Sequence, residues 1–336
     1  MKFAPAKSTL KEGHAGMELE IPEPLRLREE AICAPLRYAA GTGGMTAEAA
    51  ELLEAILLPH LAKERADILR PLALLPSLAR GAFSPEMAEV LPKIDELKQH
   101  LHELQIEHAT ILSAIKRLVA AAREEGKSQH ARFAERLLFR AWLDESVFSA
   151  LAILIGKYVQ LRLHPSATSA EAEATVRRLI EFQVPESLRL DHAQLSAALS
   201  NAAQAAGRTR IAAEKIVQLL EAHVQKEDRE VLQVLGLLAP LAKRRVDLAA
   251  EDLSRLDDLE LSQCALNRQH AALAAAGEQL LAIAREENAQ EVLEFAEWLL
   301  LRIRLDEEIL YPAALLIRNY LRIQGRIPSD QRVTVT

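Results

Sequence analysis

Residues 22–27 read PEPLRL, and residues 185–190 read PESLRL. The match continues without a gap to residues 79 and 242, with 24 of 58 positions identical at an offset of 163. A second gapless match, at an offset of 162 and with 23 of 56 positions identical, joins residues 103–158 to residues 265–320. The sequence therefore predicts two tandem copies of one fold.

The polar residues kept in both copies are ionisable and stand in apolar stripes. They are His60 and Glu64 with His223 and Glu227, His108 with His270, and Arg140 and Asp144 with Arg302 and Asp306. Burying an unpaired ionisable group is costly, so each position needs a partner or a ligand.

Length and repeat together predict two domains of about 160 residues in the 336-residue chain. The predicted division is a tail at 1–20, a first domain at 21–163, a linker with a short helix (170–183) at 164–184, a second domain at 185–324 and a tail at 325–336. Hydrophobic residues make up 50% of the chain and aromatic residues only 4%, with 12 glycines, a composition that favours helices.

Charge and cysteine content exclude several classes of protein. The net charge of −7 argues against a nucleic-acid partner. Met1 to Gly16 has no apolar h-region, so we expect no signal peptide, and no apolar run reaches membrane-spanning length. Cys33 and Cys264 occupy non-equivalent repeat positions and form no disulfide framework. We therefore expect a cytoplasmic protein of bacterial type with no membrane partner.

Four helices are predicted in each repeat, with breaks at Gly, Pro and Asn. The predicted ranges are 24–41, 46–80, 86–125 and 128–162 in the first repeat, and 187–206, 208–240, 245–287 and 289–323 in the second. We expect Thr46 to cap the second helix, and Ser84 followed by Pro85 to begin the third. Antiparallel helices with short loops bury their stripes against one another, so the predicted class is all-α: two tandem up-down-up-down four-helix bundles related by pseudo-two-fold symmetry.

Helical spacing turns ionisable groups of all four helices into each predicted core. Carboxylates and imidazoles from facing helices are what an iron or manganese site in a bundle needs. The candidate metal ligands are His192, His223, Glu227, His270 and Asp306 in the second repeat, and Glu29, His60, Glu64, His108 and Asp144 in the first.

This order of residues resembles the hemerythrin-like, or HHE cation-binding, family: His on helix one, His-x-x-x-Glu on helix two, His on helix three and a carboxylate on helix four. The phrases LDH at 190–192, EH at 107–108 and DEEILYP at 306–312 are similar to its usual wording. The resemblance covers nearly the whole chain, once per repeat. It implies a non-haem di-iron centre bridged by the helix-two Glu and the helix-four carboxylate, and a role in binding oxygen, sensing oxygen or nitric oxide, or handling iron.

Departures from the family pattern change what is expected of the site. The family's helix-four His falls on Arg302 and Arg140, and arginine does not ligate metals because it keeps its proton. The third helix carries one His per repeat where two are common. We expect Arg302 and Arg140 to adjoin the ligands and orient Asp306 and Asp144. A shell this poor in His argues against an oxygen carrier more than against metal binding.

Three functions stay open. The first is a non-enzymatic metal-binding role, with di-iron or mononuclear non-haem iron, in oxygen, nitric oxide or redox sensing or in iron handling. The second is a metal-free protein-interaction module, in which Arg302 pairs with Asp306 and Glu227 and replaces the metal's charge. The third and weakest is a di-iron oxidase or peroxidase on the carboxylate-rich set of the first repeat.

Overall fold

A computed structural model describes residues 19–164, 183–243 and 256–324 of the chain. Every regular element in these ranges is helical, and no strand occurs among them, so the all-α prediction is confirmed. The longer helices are α1 (Glu23–Ala40), α2 (Gly44–Glu64), α3 (Leu91–Glu124), α4 (Ser128–Leu143), α5 (Ser149–Leu163), α6 (Glu186–Ala202), α7 (Gly207–Glu227), α8 (Leu259–Glu286), α9 (Gln290–Leu305) and α10 (Tyr311–Ile323). Short helices at Leu75–Ala79, Gln233–Leu235 and Leu238–Lys243, and 3₁₀ segments at Pro71–Leu74 and Pro85–Val90, complete the described elements.

A π-helical turn follows each of four helices. These turns are Arg65–Leu69 after α2, Asp144–Phe148 after α4, Asp228–Leu232 after α7 and Asp306–Leu310 after α9. The predicted helices 46–80, 128–162, 208–240 and 289–323 are therefore wrong as uninterrupted α-helices. Each π turn begins at a retained Asp or directly after a retained Glu. Turns of this kind are rare and occur often at functional sites.

The helices of each half make a closed ring of contacts. In the first half α1 packs on α2, α2 on α3, α3 on α4 and α4 on α1. In the second half α6 packs on α7, α7 on α8, α8 on α9 and α9 on α6. The halves also meet, through α1 against α9 and α4 against α6.

Three apolar clusters make up the core, one in each half and one shared between them. The retained ionisable residues lie at the boundary between the apolar cluster of one half and the cluster that both halves share. For example, Leu273 belongs to the second half's cluster and Leu266 to the shared one, and His270 lies between them on α8. A polar layer therefore divides the apolar core of each half.

The start of α2 differs from the predicted Thr46 cap, which is wrong. The helix begins at Gly44, and the Glu125 carboxylate accepts hydrogen bonds from the backbone N–H of Met45 at 2.7 Å and of Thr46 at 3.1 Å. The Thr46 hydroxyl donates to the same carboxylate at 2.5 Å. The aligned Glu287 accepts in the same way from the N–H groups of Arg208 and Thr209. The starts of α2 and α7 are thus capped by a carboxylate that is distant in sequence, and a negative charge there is favoured by the positive end of the helix dipole.

The start of the third helix is partly as predicted. Pro85 opens a 3₁₀ segment that leads into α3, but Ser84 makes no side-chain cap hydrogen bond. In the second half α8 begins at Leu259 after a turn at 256–258, and the first part of the predicted range 245–287 lies outside the described residues. Most of the predicted tails and linker, with nearly all of the linker helix, lie outside them as well. None of the described helices combines the length and apolarity that crossing a membrane requires.

Candidate metal centres

In the second half, three predicted ligands converge. His223 and Glu227 come from α7 and His270 from α8, and their ligand atoms lie within 4.8 Å of one another. The Nε2 atoms of the two rings are 3.0 Å apart, and the Glu227 Oε2 lies 3.7 Å from that of His223. All three side chains are buried. This arrangement presents two nitrogens and one oxygen to a common point.

The outer nitrogen of each ring contacts an acceptor. The His223 Nδ1 lies 3.1 Å from the Gln269 Oε1, and the His270 Nδ1 lies 3.2 Å from the Glu307 Oε1. Both oxygens can accept from an Nδ1 N–H, and this contact turns the Nε2 atoms toward the common point. Metal-bound imidazoles are commonly held in this way, with the outer N–H donating to an acceptor.

The charge states of the group also suit a cation. Burial lowers the pKa of His223 to about 4, so this ring is neutral at pH 7. Burial alone would raise the pKa of Glu227, but the hydrogen bond from His192 and the charge of Arg302 outweigh it and hold the pKa well below its usual range. The Glu227 Oε1 is buried without a hydrogen-bond partner. Glu227 is therefore an ionised carboxylate with one oxygen free of hydrogen bonds, beside two buried imidazole rings.

Tyr311 borders the same group. Its ring stacks on that of His270 with centroids 5.3 Å apart, and its hydroxyl lies 3.3 Å from the His270 Nε2. Burial raises the pKa of this phenol, which therefore stays protonated. The aligned residue of the first half is Ser149, so the two halves differ at this position.

His192 lies beside the group as a hydrogen-bond partner. Its Nε2 is 3.2 Å from the Glu227 Oε2, and its Nδ1 is 3.1 Å from the Asp228 Oδ1. Burial would lower the pKa of His192, but contacts with the two carboxylates raise it to about 9, against the opposing charge of Arg302. Contact with two carboxylates favours the protonated ring, and a protonated ring offers no lone pair to a metal.

Asp306 is held by Arg302. The Arg302 Nη1 contacts the Asp306 Oδ1, as the sequence predicts, and the other carboxylate oxygen lies 3.9 Å from the His270 Nε2. The same guanidinium donates from Nε to the Asp191 Oδ2 at 2.6 Å, and its Nη2 lies 3.1 Å from the His192 Nε2. Two of the five predicted ligands of this half, His192 and Asp306, are thus in contact with Arg302.

The first half repeats the three-residue group with different contacts. The Glu64 Oε1 lies 2.9 Å from the His108 Nε2 and 3.3 Å from the His60 Nε2. The His60 Nδ1 lies 2.8 Å from the Glu107 Oε2. Burial would raise the pKa of Glu64, but the hydrogen bonds to the two rings lower it. The carboxylate is therefore ionised and central to the group.

The other two predicted ligands of the first half are paired with arginines. The Glu29 Oε2 accepts from the Arg65 Nη2 at 2.8 Å, and its Oε1 is buried without a hydrogen-bond partner. Asp144 accepts from the Arg28 Nη1 at 3.1 Å and lies 3.5 Å from the Arg140 Nε. Arg140 thus adjoins Asp144, as predicted.

Sequence reasoning missed four residues that pair with the predicted ligands and with Arg302. They are Arg28, Arg65, Asp191 and Asp228, and the alignment of the two halves marks all four by a change of charge. Where the first half pairs Glu29 with Arg65, the aligned pair is His192 with Asp228, which has the opposite polarity. The positions of Arg28 and Asp191 also exchange charge: Arg28 bonds Asp144, and Asp191 bonds Arg302. The exchange of Glu29–Arg65 for His192–Asp228 is a paired reversal of charge, which indicates contact and can be read from the aligned sequence. At Arg28 and Asp191 only one partner changes sign, because the Arg and Asp of the fourth helix are kept in both halves.

No protein-family model matches the chain. No curated protein and no solved structure matches it either.

Proposed function

We propose that the chain is a tandem hemerythrin-like protein, two four-helix bundles that arose by internal duplication, and that each bundle binds non-haem iron in its core. The role is sensing of oxygen, nitric oxide or redox state, or the handling of iron. The closed ring of helix contacts in each half and the aligned His-x-x-x-Glu pairs support the bundle and the duplication.

One observation carries the proposal. The Nε2 atoms of His223 and His270 face each other at 3.0 Å while both Nδ1 atoms contact acceptor oxygens. Both Nε2 atoms and the Glu227 carboxylate converge on one buried point, with the Tyr311 hydroxyl 3.3 Å from the His270 Nε2. A cation at this point would take its ligands from all three residues. The aligned group of His60, Glu64 and His108 offers the same donor types.

The donor set favours one iron per bundle. Two imidazoles and one carboxylate with open positions are the ligands that ferrous non-haem iron takes in many proteins. A second iron in the second bundle would require Asp306 and His192, and both now contact Arg302. A bound iron would supply an open coordination position for a small ligand such as dioxygen or nitric oxide, next to Tyr311 in the second bundle.

The alternative function is a metal-free interaction module. The contacts of Arg302 with Asp306 and Asp191 favour it, as does the Glu29–Arg65 pair, because they neutralise carboxylates without a metal. In that case the bundle acts through its outer helix faces on a protein partner.

Metal analysis separates the two functions. Protein purified without chelator is analysed for metal per chain, and metal-free protein is titrated with ferrous iron in the absence of oxygen. About two irons per chain would support one site in each bundle, and about four would support two dinuclear centres. The control is His102→Ala, which removes an exposed imidazole of α3 and leaves both groups intact. No metal on the purified protein and no uptake of ferrous iron would refute the proposal and favour the interaction module.

A further inference from the structure

A cavity of about 550 Å³ lies between the two halves, where α1 and α4 face α6 and α9. Its walls are largely apolar and come from both halves, including Ile32, Phe133, Leu137, Trp298, Leu301 and Leu305. The volume is typical of a pocket for a small organic molecule. The cavity lies outside both groups of metal-ligand candidates.

One charged group of this cavity lacks a hydrogen-bond acceptor. The Arg140 guanidinium lines the wall, and its Nε is buried without a hydrogen-bond partner. The nearest ion-pair contact joins this Nε to the Asp144 Oδ2 at 3.5 Å, too far for a good charge-assisted hydrogen bond. The same Asp144 already accepts from the Arg28 Nη1 at 3.1 Å, so two arginines share one carboxylate.

The other arginines of the wall are matched. Arg136 lies 3.0 Å from the Glu294 Oε2, and Arg302 donates to the Asp191 Oδ2 at 2.6 Å. Two further carboxylates act on Arg140 without a hydrogen bond to it. Glu64 contacts His60 and His108, and Glu29 bonds Arg65 through Oε2 while its Oε1 has no hydrogen-bond partner. Among the arginines of the wall, Arg140 is the one whose Nε lacks a good charge-assisted hydrogen bond, which an added carboxylate would supply.

A second polar atom of the wall is also without a partner. The Gln194 Oε1 is buried, has no hydrogen-bond partner and belongs to a residue that lines the cavity from α6. Buried polar atoms of this kind are uncommon in folded proteins unless a ligand or a water satisfies them.

We propose that this cavity binds a small organic carboxylate with an apolar body. The carboxylate pairs with the Arg140 guanidinium, whose planar fork fits two carboxylate oxygens. The apolar body lies against Phe133, Leu301 and Trp298. Inorganic anions would meet the charge but leave the apolar wall uncovered, so the organic part supplies much of the affinity.

Trp298 provides a spectroscopic reporter for the test. The chain has two tryptophans, and Trp142→Phe leaves Trp298, on the cavity wall, as the only indole. In this background decanoate is titrated against the fluorescence of Trp298, with calorimetry for stoichiometry and 1-decanol as a probe of equal chain length without charge. We expect one decanoate per chain and weaker binding of 1-decanol.

Substitution of the arginine tests the carboxylate contact. Arg140→Met should weaken decanoate binding about tenfold or more and leave 1-decanol binding unchanged, because only the charged hydrogen bonds are lost. The matched control is Arg117→Met, which removes an exposed arginine of α3 away from the cavity. Equal affinity for the two probes, or an Arg140→Met protein that binds decanoate as well as its parent, would overturn the proposal.

A second variant covers the case in which Arg140→Met does not fold. Ala31→Phe keeps every charge and fills space at the α1 wall. We expect it to abolish binding of both probes, and unaltered binding would place the ligand elsewhere. All these measurements use metal-free protein, so their outcome is independent of whether iron binds.

Discussion

The Nε2 atoms of His223 and His270 are 3.0 Å apart, and neither ring can relieve the contact by turning its other nitrogen inward. Each Nδ1 is engaged by a side-chain oxygen, of Gln269 in one case and Glu307 in the other. These side-chain oxygens thus hold both Nε2 atoms toward the common point. Preorganised donors of this kind raise affinity because little ordering remains when the ion binds.

His223→Ala should remove the metal of the second bundle and leave that of the first. We expect the iron content to fall by about half, and thermal stabilisation by ferrous iron to fall with it, because ligand binding stabilises only the folded state. Metal analysis and thermal melts with and without iron measure both effects. His60→Ala is the reciprocal variant for the first bundle. An unchanged iron content in the double variant would remove both groups from consideration.

Arg302→Leu tests the ion-pair function. The substitution leaves Asp306 and Asp191 without their arginine, and breaking a buried pair in this way costs about 3–5 kcal/mol in the free energy of unfolding. Urea unfolding of metal-free protein measures the cost. Arg304→Leu, at a partly exposed neighbour paired with Glu23 and Glu308, should cost about 1 kcal/mol or less. If the Arg302→Leu protein instead binds iron more tightly than its parent, the guanidinium of Arg302 supplies the positive charge that a metal ion would otherwise supply beside Asp306.

The Glu29–Arg65 pair should be exchangeable for the pair of the second half. Arg65→Asp alone places a second carboxylate beside the buried Glu29, and we expect a loss of about 1–3 kcal/mol. Combining it with Glu29→His should recover much of this loss, because His192 and Asp228 make the same contact with opposite polarity. A double-mutant cycle in urea gives the coupling energy. Strictly additive losses would show that the aligned pairs are not interchangeable.

The stability of metal-free protein should be greatest near pH 6.5, the ordinary pKa of a histidine. The folded pKa of His192 is raised to about 9, so its contribution is complete below about pH 6.5 and is lost as the pH rises through 9. The folded pKa of His223 is lowered to about 4, so the unfolded chain takes up the proton first and stability falls as the pH drops from about 6.5 towards 4.

Two glutamine variants assign the limbs of this pH profile. His192→Gln should flatten the alkaline limb, and His223→Gln should reduce the acid limb, where carboxylates also contribute. His102→Gln serves as the exposed control and should leave both limbs in place. Urea midpoints between pH 4 and 9.5 provide the measurement. A stability that rises from pH 6.5 to 9 would contradict a protonated His192 ring in the folded protein.

The sequence predicts the three-residue groups well because helical spacing alone brings His60 and Glu64 onto one face. The sequence does not reveal which carboxylate accepts hydrogen bonds from each arginine, because a long flexible side chain can reach several carboxylates. Arg302 has Asp306 one turn away in sequence, and it also bonds Asp191 across the half, which periodicity along one helix does not predict. The π turns were missed for a related reason: they add a residue to a turn without changing the pattern of residue types.

The π turns also bear on the history proposed for the chain. Arg65–Leu69 aligns with Asp228–Leu232, and Asp144–Phe148 aligns with Asp306–Leu310. Under the proposed duplication, a π turn that both copies share at the same place was inherited from one ancestral unit, and the reversed polarity of Glu29–Arg65 and His192–Asp228 arose after the copies separated. The backbone around each centre is then the ancient part, and the charges that surround it are where the two copies diverged.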